Sequence, residues 1–489
     1  MLQEARSTVN QTLRNRVVAC WIGKAIGGTL GMPLEGKAGP FELTFYDPVP
    51  TKMVPNDDLD LQVLWACKLD EMGRDVRVDR HVLADAWLNQ VSFPWDEYGV
   101  AIRNLRAGLR APFSGSVDNW FQHGMGAAIR SEVWACLAAG KPQLAAQYAY
   151  EDACVDHAGE GIWAEVFFAA LQAQAFVERD PHALLRVALA QLPADSRIAR
   201  AVGDTVVWWQ QDGDWRQVRS RILDSYGEDN FTDVTMNVAF TILGWLDGAG
   251  DFGRAVCTAV NCGMDTDCTG ATVGALMGII DPTCIPEQWV RPIGRELVVD
   301  KRITGIQPPS TLDGFADLVL DLGRRLNGRA PAAGAAGSMS PQSPGPRFVE
   351  LQPLDRVPTS EVAPEMNDVQ RLAVDGYWAQ MPAATWTTPA LAVRYRFDLP
   401  VATAARVMFN THQPYQLWLD GQPLIKSGGD VLKPSFHRAP DGQRADLPLA
   451  AGGHELIVVI EPPRPGEQGG WIWGVGDSKT HQWVPLTFA

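Results

Sequence analysis

The sequence predicts two domains, an all-α domain followed by a β-sandwich, and three observations support this prediction. Apolar residues recur at helical spacing through residues 1–326. A stretch rich in Ala, Gly, Pro and Ser follows at residues 327–347, and apolar residues do not recur in it at a regular spacing. From residue 348 to 489 apolar and polar residues alternate, as in strands with one buried face. We therefore expect a helical domain, a flexible linker and a sandwich with these bounds.

The helical pattern is clearest in the segments 59–73, 161–178 and 231–246. In the segment 59–73, Lys68 interrupts the apolar stripe, and Gly73 is suited to end the helix. The segment 270–280 is rich in Gly and Ala, which predicts a helix that packs closely against a neighbour. Few segments of this part alternate strictly, so we predict that it contains helices alone.

The alternating pattern is clearest in the segments 391–400, 415–421 and 454–463. Short strands of this kind over about 140 residues are typical of a β-sandwich. Trp471 and Trp473 share one face of another strand-like segment. We interpret both as core residues rather than as a platform for a sugar.

Composition excludes some classes of partner. The formal net charge is -15 and the sequence pI is about 5.0, which argues against nucleic acid or an anionic membrane surface. The eight cysteines form no Cys-x-x-Cys pair and are interpreted as reduced, buried residues. The N-terminus shows no signal peptide, and no uninterrupted apolar stretch is long enough to cross a bilayer. We expect a cytoplasmic protein.

Two short acidic segments carry the candidate chemistry. Asp57, Asp58 and Asp60 stand before one predicted helix, and Asp265 and Asp267 stand before another. Either segment alone is explained by the helix dipole, which favours negative charge at a helix N-terminus. So many carboxylates near a core repel one another, and a hard divalent ion such as Mg²⁺, Mn²⁺ or Ca²⁺ would neutralise them. Spacing alone leaves open whether the two segments meet.

A nucleotide cofactor is not expected. The glycine-rich run at 23–31 lacks the Gly-Lys-Ser/Thr ending of a phosphate loop, and no clear strand precedes it. We therefore reject a nucleotide triphosphatase.

Five segments resemble, in the same order, the motifs of the ADP-ribosylglycohydrolase family. They are WIGKAIGGTLGMPLEG at 21–36, Asn56-Asp57-Asp58, HGMGAAIRSE at 123–132, VDHAGEGIWAEVFFAAL at 155–171 and CTAVNCGMDTDCTGATVGALMGII at 257–280. The last match is long and specific. The resemblance spans roughly residues 15–285 and includes nothing after the linker.

The resemblance implies an all-α fold with a metal cluster in a central cleft, and hydrolysis at an anomeric carbon. It implies one or two Mg²⁺ ions, or Mn²⁺ or Ca²⁺ in their place. The expected ligands are Asn56, Asp57, Asp58, Asp265 and Asp267. The expected catalytic residues are Glu35 and Asp58, and the expected substrate-binding residues are Asp60, Gly124, Gly126 and His157.

The sequence departs from the family pattern at four positions. Asn56 replaces a threonine before the Asp-Asp pair, and Cys268 replaces a threonine after Asp265-Thr266-Asp267. Met125 replaces an asparagine, and Gly28 replaces an aspartate. A thiol is a poor ligand for Mg²⁺, so we expect one metal site to be altered.

The C-terminal pattern resembles the jelly-roll modules attached to glycoside hydrolases, which favours a saccharide substrate; a structural or dimerising module is the alternative. Three functions therefore remain open. The protein removes ADP-ribose, hydrolyses the O-glycoside of a saccharide, or binds metal and sugar without catalysis. The expected substrate is a glycoside, either a small molecule or linked to a protein.

Overall fold

The computed structural model describes residues 2–332, 347–358, 362–374, 376–430, 432–465, 467 and 469–488. The chain divides into two compact units. The first comprises Met1–Ser92, Arg110–Ser116 and Phe121–Gly337, and the second comprises Phe93–Leu109, Val117–Trp120 and Ser338–Ala489. The predicted order of a helical part followed by antiparallel sheets is confirmed. Most of the predicted linker at 327–347 lies outside the described residues.

Helices form the whole regular structure of the described residues before the linker. They are α1 (Leu2–Gly31), α2 (Asp57–Glu71), α3 (Arg80–Gln90), α4 (Asp96–Arg106), α5 (Phe113–Ser116), α6 (Ser131–Leu137), α7 (Pro142–Ala153), α8 (Glu160–Ala175), α9 (Pro181–Leu189), α10 (Arg197–Asp212), α11 (Trp215–Tyr226), α12 (Val234–Gly248), α13 (Phe252–Asn261), α14 (Thr266–Ile280), α15 (Glu287–Val290) and α16 (Leu312–Leu326). Short 3₁₀ turns interrupt them, including one at Met32–Leu34. Only α4 belongs to the second unit.

The helices α1 and α14 pack against each other through glycines. A Cβ atom at Gly23 would lie 2.0 Å from the carbonyl oxygen of Gly274, and one at Gly27 would lie 2.0 Å from that of Gly270. Only residues without a side chain allow two backbones to approach so closely. The close packing predicted for the Gly/Ala-rich segment is confirmed. It brings the start of α14 beside the end of α1.

The apolar part of α1 is a buried helix of the first unit. Among the described residues, one helical stretch, Gln11–Leu34, is long and apolar enough to cross a membrane, with a mean hydropathy of 1.4. Its apolar window is 83% buried. This stretch was not predicted from the sequence, because Lys24 interrupts its apolar run. Such burial is typical of a core helix.

The second unit contains two antiparallel sheets. Its strands are β1 (Arg347–Leu354), β2 (Gln370–Val374), β3 (Trp378–Met381), β4 (Ala390–Leu399), β5 (Thr403–Asn410), β6 (Tyr415–Leu419), β7 (Gln422–Ser427), β8 (Arg444–Leu449), β9 (Gly452–Ile460), β10 (Gly469–Asp477) and β11 (Thr487–Phe488). One sheet has the order β2-β1-β4-β9-β6-β7, with β11 beside β4, and the other has the order β3-β10-β5-β8.

Side chains from both sheets form one apolar core. Trp471 and Trp473 are 0% and 1% exposed, and the indole N–H of Trp471 donates to the Tyr395 hydroxyl at 2.8 Å. The interpretation of both tryptophans as core residues is confirmed. Neither can serve as an exposed platform for a sugar.

The segments 93–109 and 117–120 belong to the second unit through specific contacts. The carboxylate of Asp118 accepts hydrogen bonds from the backbone N–H of Tyr377 at 2.9 and 2.8 Å. The guanidinium of Arg103 lies 4.6 Å from the ring centre of Tyr377 and 4.7 Å from that of Trp483. Part of the predicted helical domain therefore supports the strands, which the sequence did not indicate.

Candidate metal centre

The two acidic segments meet in the structure. Asp58, Asp267 and Cys268 each offer a ligand atom, and the three atoms lie within 4.8 Å of one another. Glu35, Asp265 and Asp267 form a second such group. Four of these five side chains are buried and Glu35 is half-buried. The two acidic segments therefore lie together, which their spacing in the sequence could not show. Asp267 belongs to both groups.

Asn56 joins the two segments. Its side-chain oxygen caps α2 by accepting from the backbone N–H of Asp58 at 2.8 Å. Its side-chain nitrogen donates to Asp267 Oδ2 at 3.2 Å. An amide oxygen has a second lone pair, so the predicted role of Asn56 as a ligand stays a prediction.

The loop that carries Glu35 is held against the loop before α14 by backbone hydrogen bonds. The N–H of Gly36 donates to the carbonyl of Met264 at 2.9 Å, and the N–H of Met264 donates to that of Lys37 at 2.8 Å. Met264 has a φ of 67°, a left-handed conformation that turns the chain directly before Asp265. Glu35 and Asp265 are therefore placed together by main-chain geometry.

Two asparagines fix these loops. Asn261, at the end of α13, accepts from the N–H of Leu43 at 2.8 Å and donates to its carbonyl at 2.9 Å. Asn237, in the first turn of α12, accepts from the N–H of Asp265 at 3.2 Å. Asn237 was not predicted as a site residue, because nothing in its own segment marks it. Its hydrogen bond to the loop before α14 becomes apparent only from the packing of α12 beside α14.

The carboxyl groups of the cluster resist ionisation. Burial raises the pKa of Asp58 to about 7 against the opposing effect of Lys24, and repulsion from Asp57 adds to the rise. Burial and then repulsion from Asp58 raise the pKa of Asp267 to about 7. Burial, with repulsion from Asp267 and Glu35, raises the pKa of Asp265 well above its usual range. A bound cation would lower these pKa values and favour the ionised carboxylates.

Lys24 supplies a cation that the sequence analysis did not assign to the cluster. It is 1% exposed, and its ammonium lies 3.4 Å from Asp58 Oδ1 and 3.1 Å from Glu132 Oε2. It also donates to the carbonyl of Ile129 at 2.8 Å. A lysine inside an otherwise apolar helix was the available signal, since a fully buried ammonium needs an acidic partner.

The buried carboxylates keep oxygens that accept no hydrogen bond. Among the described residues these include Oδ1 of Asp58, Asp60 and Asp267. Leaving such atoms unpaired is costly, and a bound cation would satisfy them. The oxygen ligands of Glu35, Asp265 and Asp267 fit a hard divalent ion. The group of Asp58, Asp267 and Cys268 combines two carboxylates with a sulfur, and this ligand set does not fit Mg²⁺ well.

Asp60 lies at the same end of α2. Its Oδ2 accepts from the backbone N–H of Asp300 at 2.9 Å. Burial raises the pKa of Asp60 well above its usual range, and repulsion from Asp57 adds to this. Asp60 thus anchors a neighbouring loop, and its predicted contact with substrate stays a prediction.

The glycine loop at 124–126 is held by contacts with other segments of the first unit. Gly124 pairs with Asp233 in an antiparallel bridge, and the carbonyl of Gly126 accepts from Arg130 at 2.6 Å. His157 is fully buried, and its Nε2 accepts from the N–H of Ala127 at 3.3 Å. These contacts show how the loop is supported. The predicted roles of both glycines and His157 in substrate binding stay predictions.

Comparison with known proteins shows the family of the chain. The family model for ADP-ribosylglycohydrolase matches residues 9–326. The chain belongs to the ADP-ribosylglycohydrolase family. A solved structure titled "ADP-ribosylglycohydrolase-related protein complex" is 21% identical and covers 64% of this chain and 99% of its own, with a TM-score of 0.45. Among curated proteins, no sequence matches the chain.

Membership of the ADP-ribosylglycohydrolase family supports a glycohydrolase type of function. The match ends at residue 326 and does not include the strands of the second unit. The predicted likeness of the sandwich to modules of glycoside hydrolases is therefore not confirmed.

Proposed function

We propose that the protein is a metal-dependent glycohydrolase that cleaves a glycosidic bond at an anomeric carbon. The observation that carries the proposal is the convergence of Glu35, Asp58, Asp265 and Asp267 on one buried place. Helix capping does not require two separate segments to meet there. Family membership supports the same chemistry.

The proposed ligands of the ion are Asp57, Asp58, Asp265 and Asp267, with Asn56 beside them. Mg²⁺ is the first choice, and Mn²⁺ or Ca²⁺ has the same preference for oxygen. A bound divalent ion would orient a water and sugar hydroxyls and stabilise negative charge in the transition state. No nucleotide cofactor is proposed.

Glu35 is the proposed acceptor of the proton from the attacking water. It is half-buried, unlike the buried aspartates, and it lies in the same group as Asp265 and Asp267. Asp58 is the second candidate. It is buried and already paired with Lys24 at 3.4 Å, which suits it better to holding charge than to exchanging protons with water.

The proposed substrate is an ADP-ribosyl group linked to a protein or to a small molecule, because the family match covers the whole helical part. A saccharide O-glycoside is the alternative that the added sandwich favours. A binding protein without catalysis is the third possibility, and the retention of Glu35 with the four aspartates opposes it.

The test is hydrolysis by purified protein after EDTA treatment and return of Mg²⁺, Mn²⁺ or Ca²⁺. The substrates are ADP-ribosylated peptides and simple aryl furanosides and pyranosides. Asp265→Asn removes a buried acid of the cluster, and Asp85→Asn, an exposed change on α3, is the matched control.

Metal-restored cleavage of the peptides, kept in Asp85→Asn and lost in Asp265→Asn, would support the proposal. Cleavage of the aryl glycosides alone would indicate that the substrate is a saccharide rather than an ADP-ribosyl group. Metal binding without cleavage of either group would contradict the proposed substrates and favour a binding protein.

A further inference from the structure

We propose that Asp58, Asp267 and Cys268 form a thiolate-containing subsite that prefers a thiophilic divalent ion such as Zn²⁺ over Mg²⁺. The inference rests on the proposed metal centre and adds the chemical class of one of its ions. In the other group, Asp265 and Asp267 offer only carboxylate oxygens and suit a hard ion, and Glu35 lies beside them.

The sulfur of Cys268 faces the acidic cluster. Its Sγ–H donates to Asp58 Oδ2 at 3.7 Å, and its ligand atom lies within 4.8 Å of those of Asp58 and Asp267. Cys262, six residues earlier, provides a contrast within the same segment. It packs in an apolar cluster with Met236 and Phe240, as buried cysteines usually do. The position of Cys268 is therefore not that of a simple packing residue.

The carboxylates of the subsite can bind a cation. Asp267 is 4% exposed, and its Oδ1 accepts no hydrogen bond. Asp58 Oδ1 is paired with the Lys24 ammonium at 3.4 Å, so the oxygen without a partner belongs to Asp267. A buried carboxylate oxygen without a partner is costly unless a proton or a cation binds there.

The ligand set selects the class of ion. Carboxylate and thiolate ligands are common around Zn²⁺, whereas Mg²⁺ demands oxygen ligands and gives up its waters reluctantly. When the ion binds, a metal–sulfur bond forms and the Sγ–H proton leaves to solvent, with no change of oxidation state.

The neighbourhood compensates for the additional negative charge. A thiolate adds one charge relative to the neutral hydroxyl that a threonine would bring to this position. Lys24 lies between Asp58 and Glu132, with its ammonium 3.4 Å from Asp58 Oδ1. This fixed cation therefore offsets part of the negative charge of the ligand set.

Cd²⁺ is the probe, because its bonds to thiolates absorb in the ultraviolet. Metal-free full-length protein would be titrated with Cd²⁺, and competition between Zn²⁺ and Mg²⁺ would be followed by equilibrium dialysis. Cys268→Ser replaces the sulfur by an oxygen of similar size. Cys284→Ser is the matched control, since Cys284 is half-buried and lies outside both groups.

We expect a thiolate–Cd²⁺ band in the wild type and in Cys284→Ser, and no band in Cys268→Ser. Removing one ligand should also weaken Zn²⁺ binding by at least ~10-fold without weakening Mg²⁺ binding. Circular dichroism and thermal melting would show that Cys268→Ser remains folded.

An unchanged band or unchanged Zn²⁺ affinity in Cys268→Ser would overturn the proposal, as would a wild type that binds Cd²⁺ without the band. These outcomes are independent of turnover. A protein with the band but no hydrolysis would contradict the proposed function alone. A protein that hydrolyses its substrate with no effect of Cys268 on metal binding would contradict this inference alone.

Discussion

At the scale of the residue, a buried ammonium lies beside the acidic and thiol side chains of the cluster. Lys24 lies 3.4 Å from Asp58 and 3.1 Å from Glu132, so it offsets part of the charge of one acid of the cluster and one acid behind it. The pKa values of Asp58, Asp265 and Asp267 stay raised, because burial and mutual repulsion outweigh what this lysine supplies. The negative charge that Lys24 does not offset must be neutralised by bound protons or by a metal ion.

Replacing Lys24 by methionine should destabilise the protein strongly. The change leaves Glu132 and Asp58 buried without their cation, and breaking a buried pair in this way typically costs about 3–5 kcal/mol. Urea unfolding would measure the loss. Lys68→Met is the control, because Lys68 pairs with Glu71 near the surface and should change stability by only about 0–1 kcal/mol. Equal losses in the two variants would contradict the account.

The stability of the metal-free protein should fall as pH rises from about 4 to about 7. The folded pKa values of Asp58 and Asp267 are about 7, above the ordinary value of 3.8. In this window the folded state keeps protons that the unfolded state releases, so each pH unit lowers the free energy of unfolding. A divalent ion replaces those protons. Its stabilising effect should therefore be larger at about pH 8 than at about pH 5.

Thermal melts with EDTA and with Mg²⁺ at both pH values would test this. Asp267→Asn removes one titrating group and should flatten the pH dependence of the metal-free protein. A metal effect that is the same at both pH values would contradict the assignment of these carboxyl groups to the ion.

At the scale of the element, the glycine contact between α1 and α14 determines where the acids lie. It sets the start of α14, which carries Asp267 and Cys268, beside the turn that leads to Glu35. A Cβ atom at Gly31 would lie 2.2 Å from the carbonyl oxygen of Thr266. The two helices therefore position the cluster as well as fill the core.

Gly27→Ala should separate the two helices. The added Cβ would lie 2.0 Å from the carbonyl oxygen of Gly270, which is backbone and cannot rotate away. Overpacking of this kind typically costs about 1–3 kcal/mol, and the shift should also weaken metal binding. Gly203→Ala on α10 is the control, because nothing lies within 4 Å of its Cβ position and alanine favours a helix. A stable Gly27→Ala protein with unchanged metal affinity would contradict this role.

The sequence predicts local structure well where its signals are local. The segment 59–73 forms α2 at Asp57–Glu71, and the segment 161–178 forms α8 at Glu160–Ala175. Both acidic segments begin helices as expected. Their meeting was implied only by the resemblance to the family, because contact between residues some 200 positions apart depends on packing.

The contributions of Lys24 and Asn237 were not predicted for the same reason. Lys24 stands in an apolar helix, and its partners Asp58 and Glu132 come from other elements. Asn237 acts through a backbone N–H on a different loop. No pattern within one segment indicates such partners.

At the scale of the whole molecule, the division into units does not follow chain order. The second unit takes Phe93–Leu109 and Val117–Trp120 from within the helical part and adds them to the sheets. Composition and periodicity place a boundary at the linker. They cannot show that segments before the linker belong to the second unit. The predicted bounds 1–326 and 348–489 stay a prediction for the limits of independently folding domains.

A fragment of residues 348–489 should therefore be less stable than the second unit in the full chain. It lacks Asp118, which accepts from the N–H of Tyr377, and Arg103, which stacks on Tyr377 and Trp483. Near-ultraviolet circular dichroism and thermal melting of the fragment and of the full chain would show the difference. The variant Asp118→Ala in the full chain should reproduce part of the loss. A fragment that melts as the full chain does would contradict the assignment of these segments.

We propose that the buried acids form a divalent-metal centre, and calorimetric titration of Mg²⁺ into the metal-free protein would detect it. We expect saturable binding to the wild type and to Asp85→Asn. We expect binding weakened by at least ~10-fold in Asp265→Asn, which loses one ligand. Wild-type protein that binds no Mg²⁺, Mn²⁺ or Ca²⁺, or an Asp265→Asn variant that binds as the wild type does, would contradict the proposal.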